Sequence, residues 1–246
     1  MIKVVKILSF LLFTLLTGCR TVEHLAETDN VNIEVVSDLV DTEMESFIAP
    51  YRSEMGTEMG QVIGSNATML TKQRPNSSLG NVVADLLQDQ AEVYLDTKVD
   101  FAVHNYGGIR INSLPAGPIT RGKIFELMPF DNYLLVLSMT VDDIILLCDK
   151  IIELGGWPIS RGLSITVKQD LVADILINGQ PLEEGKTYQM AIPDYVANGG
   201  DGCDFLTQID QQHTGRYIRE ALIDRISYLE SEGKPLSANN EQRILK

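Results

Sequence analysis

The sequence predicts a mixed α/β domain of the α+β class, running from about residue 33 to residue 246. Three observations carry this. Strand-like and helix-like apolar runs alternate along the chain, no repeat or low-complexity stretch interrupts them, and the composition is that of an ordinary folded chain. With 246 residues, 44% hydrophobic and 22% charged side chains and a mean hydropathy of +0.02, the sequence is neither a disordered tail nor a polytopic membrane protein.

The first eighteen residues read as a leader. Lys3 and Lys6 precede an apolar run from Ile7 to Leu16, which suits a signal-peptide core and falls short of the roughly 20 residues of a membrane-spanning helix. The run ends in Leu16-Thr17-Gly18-Cys19, which resembles a bacterial lipobox, so residues 1–18 are expected to be removed and Cys19 to carry lipid. That places the mature chain in the cell envelope, anchored by lipid. Arg20 after the cysteine, unlike an inner-membrane retention aspartate, favours the outer membrane on its periplasmic or surface side. Residues 19–32 are polar without apolar period and read as a tether.

From Asp41 to Met59 the apolar positions Met44, Phe47, Ile48, Met55 and Met59 recur at helical spacing, with Pro50 expected to break the segment into two helices. A short strand is expected over Gly60–Ser65. Leu79–Leu95 follows as a helix with Leu79, Val82, Val83, Leu86 and Leu87 on one face and Ser77 or Ser78 as its cap. Val99–His104 reads as a strand, Ile124–Met128 as a short helix stopped by Pro129, and the almost wholly apolar Tyr133–Thr140 as a buried strand. Val141–Leu154 is an amphipathic helix closed by Gly155-Gly156. Strands are expected at Ser164–Val167, Asp174–Ile177 and Tyr188–Ile192, with Asn178-Gly179 as a hairpin turn. Thr214–Glu232 reads as a last helix, ending at Gly233 with Pro235 beyond it.

Charge and composition exclude several functions. The 34 acidic against 20 basic side chains give a formal charge of −14, which argues against nucleic acid as a partner. Only three histidines (His24, His104, His213) and three cysteines are present, too few for a His-rich or Cys-rich metal motif. His104 ends an apolar strand and reads as a structural histidine. Cys148 and Cys203 read as buried hydrophobes and not as a disulfide.

Three clusters at strand and helix ends remain. In Asn105-Tyr106-Gly107-Gly108-Ile109-Arg110, two glycines admit a close approach to the main chain and Arg110 offers a planar fork to phosphate or carboxylate. By itself this is also what a strand-end turn with a surface arginine looks like. In Pro193 to Gly202, three glycines shape a tight loop that holds Tyr195 and Asp201; the plainer reading is a structural turn. In Leu127-Met128-Pro129-Phe130-Asp131-Asn132, Pro129 fixes a turn beside the Phe130 ring, itself more often core than site.

Together the clusters resemble the carboxy-terminal domain of the 5′-nucleotidase family of periplasmic and cell-surface nucleotide hydrolases. The resemblance runs in order from about residue 60 to 246, through Ser78-Leu79-Gly80-Asn81, Asn105 to Arg110, Gly117-Pro118-Ile119-Thr120, Pro129-Phe130 with Asn132, the Tyr195 to Gly202 loop and Arg243-Ile244. It implies a layered α/β sandwich with mixed sheets. It also implies a nucleotide or nucleoside site in which Phe130 and Tyr195 sandwich the base, each stacking contact contributing roughly 1–3 kcal/mol. Asn105 matches a nucleoside-contacting amide, with Gly108 beside it, and Asn132 a polar contact near the base. Arg110 matches the phosphate-facing arginine and Asp201 the carboxylate that accepts from ribose hydroxyls. Arg74 is the nearest candidate for a second phosphate-facing arginine. Tyr195 stands where phenylalanine is commoner, Tyr106 where a small residue is common, and Cys203 where an aromatic is frequent.

In the family a separate amino-terminal metallophosphatase domain holds two divalent metals. The contexts that ligate them, Asp-x-His, Gly-Asn-His and Gly-His-x-His, are not those of His24, His104 or His213. The chain is therefore expected to bind no cofactor, to have no catalytic residue of its own and not to hydrolyse nucleotides alone. One reading is the recognition half of a split 5′-nucleotidase that needs a metallophosphatase partner carrying both metals. The alternative is a non-catalytic envelope lipoprotein that captures nucleotides or nucleosides.

Overall fold

The computed structural model describes residues 41–246, so the leader, Cys19, the tether and the expected start of folding near Ile33 lie outside the described residues. Residues Ile48–Lys246 form one compact unit. Helix α1 (Thr42–Met59) runs through Pro50 where a break was expected. The reason is exposure. Pro50 cannot donate to the carbonyl of Ser46, but Ser46 is exposed and the helix buries none of its residues, so the freed acceptor does not have to be satisfied within the protein.

Strands β1 (Val62–Asn66) and β2 (Leu70–Thr71) precede helix α2 (Ser78–Leu95), whose start is fixed by Ser77: its hydroxyl accepts from the Gly80 amide at 2.8 Å. Strand β3 is shorter than the expected Val99–His104, being Phe101–Ala102. Asp100 and Val103 still donate to Gln189 and Ala191, and on the other edge Ile159 makes a single antiparallel bridge to Val103 while the Ala102 amide donates to the Ser160 hydroxyl. Strands β4 (Ser113–Leu114) and β5 (Gly117–Thr120) lead to helix α3 (Arg121–Leu127), capped by the Thr120 hydroxyl and followed by Pro129.

Strand β6 (Tyr133–Met139) and helix α4 (Val141–Glu153) stand where the apolar pattern puts them, and Thr140 and Asp143 form a capping box between them. Strands β7 (Leu163–Lys168), β8 (Leu171–Ile177) and β9 (Gln180–Pro181) follow, with Asn178 and Gly179 both at positive φ in the β8–β9 turn. Strand β10 (Tyr188–Pro193) runs into the one-turn helix α5 (Asp194–Ala197).

The expected final helix from Thr214 is corrected. Residues Gln211–Tyr217 form strand β11, and helix α6 spans only Ile218–Ser231. Gly215 sits at φ +72°, the Thr214 hydroxyl donates to the carbonyl of Leu134 at 2.8 Å, and the Tyr217 amide donates to Glu220 at 3.1 Å. These contacts hold the segment extended and start the helix one turn later. Strand β12 (Ile244–Leu245) closes the chain.

The central sheet has the order β11-β6-β10-β3, with β10 antiparallel to β6 and parallel to β3. Its two faces are buried by different partners. Leu134, Val136, Ala191 and Ala102 pack with α2, α3 and α6, while Leu135, Leu137, Met139, Phe101 and Met190 pack with α4 and the second sheet, β12-β7-β8-β9. Alternate residues of β6 thus enter opposite cores, which is why the strand is apolar at both parities. The mixed α+β layers match the expected class.

The carboxy-terminal end is fastened by Arg243, 2% exposed, whose fork donates to both carboxylate oxygens of Asp85 at 2.9 and 2.7 Å and to the Ile159 carbonyl at 2.8 Å. Arg243→Leu removes the two-pronged partner of Asp85, leaving its carboxylate only the Arg161 amide at 2.8 Å and the more distant Arg161 guanidinium, so urea denaturation is expected to show a loss of about 3 kcal/mol. A loss below about 1 kcal/mol would mean that the Asp85 pair does not fasten the terminus.

Candidate functional site

The sheet topology gathers the three clusters. Because β3 and β10 are parallel and β6 runs against β10, with Pro193 opposite Leu134, the carboxy ends of β3 and β10 and the amino end of β6 share one edge. The loops that follow β3 (Asn105–Arg110), precede β6 (Phe130–Asn132) and follow β10 (Tyr195–Asp201) therefore meet there. Between them lies a cavity of about 440 Å³, lined by Asn105, Gly107, Gly108, Arg110, Phe130, Asn132, Tyr195 and Asp201. That volume lies in the range of small-molecule sites.

Asp201 is the most constrained residue of the group. It sits at φ +54°, in the left-handed region, between Gly199 and Gly202, which also have positive φ. Its carboxylate offsets that cost by accepting from the Asn105 amide at 2.8 Å and from the Tyr195 hydroxyl at 3.0 Å. The same bond raises the Tyr195 hydroxyl above its ordinary pKa, because losing the proton would face it with a carboxylate. Gly200 lets the loop fold onto the Tyr195 ring, since a β-carbon there would lie 2.6 Å from ring atoms.

Two half-exposed rings, Phe130 and Tyr195, face the cavity, and the Arg110 guanidinium lies 5.5 Å from the Phe130 centroid while donating to the Gly107 carbonyl at 3.2 Å. Gly108 is fixed by crowding: a β-carbon there would sit 2.2 Å from the His104 ring. His104 is buried beneath, its Nδ1 2.9 Å from the Asn105 carbonyl, and burial lowers its pKa to about 4.

Arg74 does not line the cavity. It stacks on Tyr106 at 4.0 Å, and Lys72, which the motif reading passed over, lies over the same ring at 3.9 Å and donates to the Ile109 carbonyl. Burial first, then Arg110 and Arg74, lower the Lys72 pKa, so the three cations are electrostatically coupled beside the cavity. None of them pairs with a carboxylate among the described residues. The available signal for Lys72 was the pair of basic side chains two apart beyond β2.

The arrangement can hold a flat ring against Phe130 and Tyr195, accept hydroxyl donors at Asp201 and hold an anion at Arg110. Among the described residues no group of three or more His, Cys, Asp or Glu side chains could hold a metal ion, so the residues present do not fit a two-metal centre. Cys148 and Cys203 are both buried and unpaired, and burial pushes the Cys203 thiol up to about 11.

Comparison with known proteins gives one consistent answer. The family described as 5′-nucleotidase, C-terminal domain, matches residues 55–208. A 5′-nucleotidase of Vibrio vulnificus is 29% identical over 193 residues, covering 75% of this chain and 33% of that protein. Protein UshA of Escherichia coli is 26% identical over 210 residues, covering 78% of this chain and 37% of its own. A solved 5′-nucleotidase precursor from Thermus thermophilus superposes with a TM-score of 0.68 at 28% identity, over 83% of this chain and 43% of that one. The chain thus spans about a third of the length of the curated relatives it matches.

His104 supplies a pH dependence of stability. Its folded pKa lies below the ordinary 6.5, so between about pH 6.5 and 4 the unfolded chain takes up a proton that the folded one refuses, and stability falls as pH drops through that window. Urea denaturation at pH 7 and pH 4.5 is expected to show a pH penalty smaller by about 2 kcal/mol in His104→Gln than in the wild type. Equal penalties would mean that His104 titrates as freely when folded as when unfolded.

Proposed function

Because the chain belongs to the family of 5′-nucleotidase C-terminal domains, we propose that it is the nucleotide-recognition half of a divided phosphoester hydrolase, completed by a separate metallophosphatase protein. The observation that carries this is one cavity lined by two half-exposed rings, an oriented carboxylate and an arginine, in a chain whose described residues offer no metal-ligand cluster. The partner supplies two divalent metals and the attacking water.

In this reading Phe130 and Tyr195 stack on the base, Asp201 accepts from the ribose hydroxyls, Arg110 takes the phosphate, and Asn105 and Asn132 meet polar groups of the nucleoside. Gly107 and Gly108 let the ligand approach the main chain. Arg74 and Lys72 reinforce the positive field at the phosphate end through Tyr106. Lipid on Cys19 holds the protein at the envelope, on the outer membrane, where nucleotides arrive before uptake. A relative from Listeria monocytogenes, 28% identical over 247 residues, is itself named a cell wall protein. A second reading, capture of nucleosides or nucleotides without hydrolysis, is favoured by Asp201, whose carboxylate is oriented by the Asn105 side-chain amide and the Tyr195 hydroxyl.

Calorimetry with AMP and adenosine separates the roles. Phe130→Ala and Tyr195→Ala are each expected to weaken both ligands by about 5- to 100-fold, whereas Arg110→Ala weakens AMP and leaves adenosine almost unchanged. Phosphate release from AMP with Mn²⁺ is expected only from a mixture with a co-purified metallophosphatase. Release by the chain alone would sink the divided-enzyme reading, and tight binding with no partner to be found would favour capture.

A further inference from the structure

Phe130 follows Pro129 on an exposed bend and is itself 46% exposed. The hold on its main chain comes from about ninety residues away. Arg219, on the first turn of α6, donates from Nη1 to the Phe130 carbonyl at 3.2 Å and pairs with the Asp131 carboxylate through Nη2. The preceding residue, Ile218, donates its amide to the Asn132 carbonyl at 2.8 Å. Three consecutive residues, two of them lining the cavity, are thus tied to two consecutive residues at the start of one helix.

The contacts are unequal. Asp131 is 68% exposed on its side chain, so its ion pair alone contributes little. Arg219 is 15% exposed, with its guanidinium 4.8 Å from the Phe125 centroid and 5.2 Å from that of Tyr217. Those rings fix the fork before it reaches the turn, so the bond to the Phe130 carbonyl costs little additional ordering.

We infer that Arg219 is a positioning residue for the aromatic platform: it sets the main chain under Phe130 and so the plane the ring offers to a ligand. The inference rests on the recognition reading above, in which Phe130 stacks on the base. A preset ring spares the ligand the entropy of ordering the turn, and the gain applies equally to nucleotide and nucleoside because both present the same base. Arg219 differs in this from Arg110, which faces the phosphate.

The test uses protein labelled with 4-fluorophenylalanine, the Phe130 resonance being assigned by Phe130→Leu, together with AMP and adenosine binding. Ligand-free wild type is expected to give one sharp Phe130 signal, and Arg219→Ala a shifted, broadened one. Arg219→Ala should weaken AMP and adenosine alike by about tenfold. It should add no further loss in the Phe130→Ala background, a result that general destabilisation would not produce. Arg219→Lys keeps a charge for Asp131 but has no fork for two acceptors, and is expected to recover only part of the affinity. An unchanged Phe130 signal in Arg219→Ala, or an equal loss of binding in the Phe130→Ala background, overturns the inference. A wild type that binds neither ligand overturns the recognition reading instead, and the fluorine signal then decides the positioning role by itself.

Discussion

The pairing of β10 with two neighbours of opposite sense is the constraint on which the rest of the structure depends. Its antiparallel register with β6 and its parallel register with β3 fix which loop ends meet. Shifting either by one residue would turn the apolar side chains of a strand toward the wrong core, since the two faces are packed by separate layers. The glycine-rich loops at the shared edge are rooted in the two cores by Ile109 and Met128 on one side and by Val196 and Ala197 on the other. They are placed by the sheet, and the cavity exists because the sheet does.

Much of this was legible in the amino-acid order. The unbroken apolar run of β6 announced a strand buried on both faces, and the glycines at 107, 108, 199, 200 and 202 marked places where the main chain must turn sharply or pass close to a ring. Local signals failed where the deciding contact was distant. The Thr214–Tyr217 segment reads as helix by its surroundings, yet a hydrogen bond to Leu134, eighty residues earlier, keeps it extended. Pro50 breaks a helix on propensity, but an exposed helix leaves its orphan carbonyl open to solvent at little cost. In the site itself the cavity-lining residues were visible because their motifs are contiguous, whereas Lys72 and Arg219 were not, because their partners, Ile109, Tyr106 and Phe130, lie 34 to 89 residues away along the chain.

The electrostatics are local exceptions to a global rule. A chain of formal charge −14 repels polyanions, yet Lys72 and Arg74 share one tyrosine ring and Arg110 lies near enough to lower the Lys72 pKa, none of the three with a carboxylate partner among the described residues. Concentrating positive charge at one point of an acidic surface favours a small anion over an extended one, because only the small anion escapes the surrounding repulsion. Asp201, which lines the same cavity, is already engaged by the Asn105 side-chain amide and the Tyr195 hydroxyl.

The convergence of three loops from strands far apart in sequence has a consequence for folding. Strands β3, β6 and β10 lie tens of residues from one another, so no fragment of the chain assembles the edge and the site forms only when the central sheet closes. A ligand held there is linked to the global unfolding equilibrium and not to the local opening of one loop. At a hundredfold excess over its dissociation constant such a ligand would add about 2.7 kcal/mol to the stability of the whole domain. The same geometry that collects the cavity-lining groups would thus make occupancy of the cavity a measure of how well the folded domain resists proteolysis.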